Sequence, residues 1–111
     1  EQDLYESCSG EVMLFRLRGP LSFGAAKGIT ERMMLIRNYK VLILDITDVP
    51  RLGVTAALAI EDMVQEAKAN SRKAFVAVSN DRVKSRLSKF GVEGLMDSRK
   101  AALEAAINLV N

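Results

Sequence analysis

Apolar and polar positions change period along this chain, and each change predicts an element. From Glu11 to Arg18 the side chains alternate: Met13, Phe15 and Leu17 fall on one side, Val12, Leu14, Arg16 and Arg18 on the other. That is the period of two a strand imposes. One face is wholly apolar and the other turns charged toward its end, which suits a sheet margin. Leu4 to Glu6 precedes it across Ser9-Gly10, a turn signal, so the two segments are expected to pair as an antiparallel hairpin. Gly19-Pro20 then ends the strand. From about Phe23 to Asn38, Ala26, Ile29, Met33 and Ile36 recur at helical spacing, with Lys27, Thr30, Glu31 and Arg37 elsewhere, and predict a first helix.

The pattern then becomes continuous. Val41, Leu42, Ile43 and Leu44 form an apolar run that suits a strand buried on both faces, as a parallel sheet covered by helices requires. After it, Ala56, Ile60, Met63, Val64 and Ala67 make one helical face, while Glu61, Asp62, Gln65, Glu66 and Lys68 make the other. Ala74 to Val78 is a second short apolar run. Ser79-Asn80-Asp81 offers capping side chains for a helix carrying Val83, Leu87 and Phe90, which Gly91 stops. Leu95-Met96 fits a very short strand, and Asp97 or Ser98 caps a final helix whose polar stripe is Lys100, Glu104, Asn108 and Asn111. Hairpin, helix, strand, helix, strand, helix, short strand, helix is an α/β order. It predicts a mixed, mostly parallel sheet with about four helices over it.

The segment Val41 to Met63 carries the candidate chemistry. In open α/β sheets ligands and regulatory groups gather at the carboxyl ends of the strands, where loops and positive helix N-termini converge. Asp45, Asp48, Arg51 and Thr55 are expected there. Composition narrows what they could do. The 111 residues make one domain, and 16 basic residues nearly balance 14 acidic ones, with two Tyr, four Phe and no Trp to stack on bases, so nucleic acid is not an expected partner. The chain has no histidine, which removes His-activated nucleophiles and the commonest metal ligand. Neither a catalytic residue nor a metal site is predicted. The lone Cys8 cannot close an intrachain disulfide, and with no secretory signal a reducing, cytosolic setting is expected. Charges interrupt every apolar run before it reaches the roughly 20 residues of a spanning helix. A start at Glu1 without an initiator Met suggests a piece of something longer.

The order of elements and the strand-turn-helix from Leu44 to Glu61 resemble the STAS domain of sulfate transporters and bacterial anti-sigma factor antagonists. The likeness covers nearly the whole chain. VMLFRLRGPLSFGAAKGITERM and LDITDVPRLGVTAALAIED look like the cytoplasmic carboxyl-terminal domain of SulP-type anion permeases, which more often keep the Val-Pro found here at Val49-Pro50. Stand-alone antagonists usually carry an Asp-Ser-Ser-Gly turn. Matched to that turn, its Asp falls on Gly53, its first Ser on Val54, its phosphorylated Ser on Thr55 and its Gly on Ala56. Only the hydroxyl survives. The resemblance implies a non-enzymatic regulatory and protein-interaction domain of a sulfate or bicarbonate transporter, at the cytoplasmic face of the membrane. Its implied partners are the membrane domain of the same transporter, a cytosolic regulatory protein and a second subunit in a homodimer. The alternative is an antagonist-like signalling module switched by phosphorylation. No cofactor is expected beyond the weak nucleotide binding associated with some relatives.

Each candidate also has a plain structural reading. Thr55 at a helix N-cap would contribute about 1 kcal/mol over alanine. Phosphorylated, it would be favoured by the helix dipole and within reach of Arg51. It is the matched phospho-acceptor, and Asp48, Arg51, Gly53, Val54 and Thr55 form the expected interaction or nucleotide-binding loop. Asp45 and Asp48 read as structural more readily than as an acid-base pair or a nucleotide hydrolase's carboxylates. GPLSFGAAK, from Gly19 to Lys27, lacks the Gly-Lys-Ser/Thr of a phosphate loop. Arg82, Lys84, Arg86 and Lys89, followed by Arg99 and Lys100, read as a solvated helical face or as a basic docking patch for anionic lipid or an acidic partner. Met33, Met34, Met63 and Met96 read as packing.

Overall fold

A computed structural model describes residues 4–9, 11–18, 23–35 and 39–110, with the side chains of residues 4–10, 23, 25, 26, 33 and 34 outside the description. Gly10 of the expected turn, the Gly19-Pro20 strand stop, residues 19–22 of the Gly19–Lys27 stretch and the expected helical positions Ile36, Arg37 and Asn38 therefore lie outside the described residues. The side chains of Cys8, Ala26, Met33 and Met34 do so as well.

The described chain folds in the expected order: β1 (Leu4–Ser9), β2 (Val12–Arg18), α1 (Phe23–Leu35), β3 (Val41–Asp48), α2 (Val54–Ala69), β4 (Lys73–Ala77), α3 (Asp81–Lys89), β5 (Leu95–Met96) and α4 (Arg99–Val110). The strands form one sheet in the order β1-β2-β3-β4-β5. The hairpin β1–β2 is antiparallel, with Ser9 opposite Val12, and the remaining neighbours are parallel. β3 lies at the centre because it is the most continuously apolar strand, and Val41 to Ile46 are all buried.

Alternation along the strands divides the core in two. Met13, Phe15, Leu17, Leu42, Leu44, Ile46 and Val76 face Ile29 of α1, the apolar stripe of α2, and Val83 and Leu87 of α3. Val12, Val41, Ile43, Phe75 and Ala77 face α4 through Ala102 and Ala106. Alanine at those two positions lets α4 lie close to the sheet. The final helix leaves Ile107 and Leu109 about half exposed.

Two caps match the expectation. Asn80 accepts from the backbone N–H groups of Arg82 at 2.9 Å and Val83 at 3.1 Å at the start of α3, and Ser98 accepts from Ala101 N–H at 3.0 Å at the start of α4. Gly91 stops α3 in the left-handed region at φ 79°. Gly94 shares that φ, and a Cβ there would also overlap the Ala74 carbonyl oxygen, so the last crossover fits only glycine.

Candidate functional site

The rim at the carboxyl ends of β3 and β4 is built from two loops laid side by side. The first, 49–53, is pinned by Val49 and Leu52, both buried, while Pro50, Arg51 and Gly53 stay exposed. The alternation of anchors and exposed residues puts the loop's backbone on the surface without leaving it unsupported. The second, 78–80, is tied to the first by Asn80, whose side-chain N–H donates to the Pro50 carbonyl at 3.3 Å, and to the end of β3 by Ser79, whose hydroxyl donates to the Thr47 carbonyl at 3.3 Å. Because Asn80 also caps α3, one side chain sets that helix against the β3–α2 loop.

α2 begins one residue before Thr55. Its N-cap is Gly53, extended at φ −74° and ψ 170°, with no side-chain capping bond, and the Gly53 carbonyl accepts the Ala57 N–H at 2.9 Å. Thr55 is therefore not the cap that its sequence position suggested. Extended glycine breaks the helix earlier and carries Thr55 into the first turn, where its exposed hydroxyl makes no hydrogen bond among the described residues. Gly53 brings no side-chain acceptor, and the first turn holds no acidic residue, so the positive end of α2 faces outward uncompensated.

Asp45 does not belong to this rim. β3 runs on to Asp48, and Asp45 shares the α4-facing phase with Val41 and Ile43, fully buried. Its carboxylate accepts from Thr47 twice, from the backbone N–H at 3.1 Å and the hydroxyl at 2.7 Å, and from the Arg99 guanidinium at the start of α4. Arg16 Nε of β2 stands 3.9 Å away. Asp45 holds Arg99 protonated, raising its pKa above the usual arginine value chiefly by their hydrogen bond, with burial opposing and the charges of Asp45 and Asp48 adding. Asp48 pairs with Arg16 at 3.1 Å at the surface. Both carboxylates are thus committed to arginines that join β2, β3 and α4. A register shift between Arg16 and Arg18 gives β3 one extra residue in the stretch that contains Thr47.

The basic helix divides by phase. Lys84 is paired with Asp97, between α3 and β5, so it leaves the free patch. Arg82, Arg86 and Lys89 follow one another at helical spacing on the outer side and are exposed. Arg82 and Arg86 line a cleft of about 340 Å³ with Arg51 and Gly53. Two groups read separately in the sequence, the β3–α2 loop and the basic helix, therefore share one depression. Asp48 and Val54 are exposed on the same loop but do not line it.

The STAS domain family model matches residues 7–106. The chain belongs to the STAS domain family. The domain is 36% identical over 105 residues to the bicarbonate transporter BicA of Synechocystis sp., matching 89% of this chain and 19% of that protein. It is 34% identical over 104 residues to BicA of Picosynechococcus sp., matching 88% of this chain and 18% of that protein. It thus spans about a fifth of the length of these curated relatives. The STAS domain of a Vibrio cholerae SulP transporter superposes with a TM-score of 0.81 at 26% identity, covering 94% of this chain and 87% of that one. A Wolinella succinogenes sulfate transporter family protein superposes at 0.78 with 24% identity, covering 94% and 91%, a likeness of fold. No described helix of this STAS domain is long and apolar enough to cross a membrane. Among the described residues no group of three or more candidate ligands could hold a metal ion.

Proposed function

We propose that this STAS domain is the cytoplasmic regulatory and protein-interaction part of a SulP-type transporter for bicarbonate or sulfate. The observation that carries the reading is the exposed β3–α2 rim, held by buried Val49 and Leu52, in a chain 36% identical to a bicarbonate transporter. Such a rim presents a fixed shape to a partner. Asp48 at its edge is paired with Arg16, and the chain has no histidine to activate a hydroxyl there, which supports a rim that binds over one that reacts. A domain of this kind biases a transporter by contacting its membrane part, or a cytosolic protein, differently in two transport states.

Thr55 supplies the switch in this reading. Its free hydroxyl sits in the first turn of α2, where a phosphoryl group would meet the positive helix end. Thr55→Asp in the full-length transporter is expected to change bicarbonate or sulfate uptake at least about twofold while leaving the amount in the membrane unchanged. Uptake and partner binding both identical to wild type would overturn the role of Thr55.

A further inference from the structure

Three arginines border the rim cleft, Arg51 from the β3–α2 loop and Arg82 and Arg86 one turn apart on α3, and none makes an ion pair among the described residues. Arg82 and Arg86 also border a second groove, of about 550 Å³, that adds Lys89, the half-buried Phe90 and one carboxylate, Asp81. Next to the cleft's Gly53 wall, Val54 is 50% exposed, and Leu58, one turn further along α2, is 45% exposed. Exposed arginines around two hollows thus adjoin a short apolar ridge that starts beside Gly53.

Resting on the reading of this rim as a docking surface, we infer that its partner is an acidic protein segment carrying apolar side chains between its carboxylates. Arginine presents a planar fork that pairs a carboxylate through two parallel hydrogen bonds, so three unpaired guanidiniums around a concave cleft match spaced Asp or Glu side chains. Val54 and Leu58 give the intervening apolar side chains a surface to cover. A bilayer fits the face less well. The arginines border hollows and do not form a flat plane. A small oxyanion would fill one cleft and leave the second groove and the apolar ridge unused.

The test titrates the 111-residue chain into a fluorescent helical peptide with Glu and Leu at i, i+4 spacing. Parallel arms use the same peptide with Gln for Glu, phosphatidylglycerol vesicles and inorganic phosphate as competitor. The acidic peptide is expected to bind at least about tenfold more tightly than the Gln form and to weaken with salt. Arg82→Glu with Arg86→Glu should abolish that preference without changing the circular dichroism spectrum or the melting temperature. Equal binding of the two peptides, binding indifferent to charge reversal, or binding to vesicles or phosphate alone overturns the inference. If reversal alters anion uptake by the full-length transporter while peptide binding is unaffected, the docking surface stands and its acidic partner falls. If neither responds, both fall.

Discussion

At Tyr39 burial and polarity conflict. The residue is 3% exposed, its hydroxyl has no hydrogen-bond partner among the described residues, and its ring lies 4.2 Å beneath the Arg72 guanidinium. Burial raises the phenol above its ordinary 10.0, with Arg72 opposing and Glu66 adding to the rise. A phenol that ionises later in the fold than in the unfolded chain contributes stability that is full below pH 10 and lost as pH climbs through the raised folded value. Tyr39→Phe keeps the ring over which Arg72 stacks and removes the orphan hydroxyl. It should leave stability at pH 7 unchanged or raised by up to about 1 kcal/mol, and should flatten the loss above pH 10 in urea unfolding followed across pH. Asp45 shows the opposite solution to a buried polar group, since Thr47 and Arg99 satisfy it from different elements. Nothing local predicts the Arg99 pairing, because the two residues are 54 positions apart. A trace of it is nonetheless present: Asp45 and Arg16 both fall on the phase of their strands that faces away from the larger core.

Between elements, Asn80 is the residue that matters most to the rim. Its carboxamide oxygen caps α3 and its N–H₂ reaches the Pro50 carbonyl, so the two loops keep their spacing through one side chain. Asn80→Ala should cost about 1–2 kcal/mol in thermal or urea unfolding, whereas Asn80→Asp, which retains the acceptor and loses the donor, should cost about half that or less. Equal losses would mean that the cross-loop bond, and not the cap, dominates. The elements themselves were legible because their periods were clean: the alternation from Val12 to Arg18, the run from Val41 to Leu44 and the stripe Ala56, Ile60, Met63, Val64 and Ala67 all appear where the spacing put them. Helix starts were less so. Thr55 has the chemistry of a cap, but the cap position falls on Gly53, which has no side chain and so leaves no polar signal to read. The basic helix was visible as composition. Its division into a paired Lys84 and unpaired Arg82 and Arg86 depended on where Asp97 and the β3–α2 loop came to lie, which is tertiary information.

Across the whole molecule the two sheet faces are covered unequally. Three helices, α1, α2 and α3, pack on one side and α4 alone on the other, and the parallel strands deliver the β3–α2 and β4–α3 loops to the same rim. The fold thereby separates support from display: the committed ion pairs of Asp45 and Asp48 join strands and α4, while the uncommitted arginines and the free Thr55 hydroxyl face outward. Under the proposed function, this organisation would serve a module that receives a partner and passes the contact to a larger protein. The most direct measurement of that claim is anion uptake by the full-length transporter carrying Arg82→Glu and Arg86→Glu, at matched expression and with bicarbonate and sulfate each supplied. The account predicts an uptake rate changed at least about twofold, from a coupling free energy of the size typical between distant sites. Uptake of both anions at the wild-type rate, from a correctly folded variant, would contradict it.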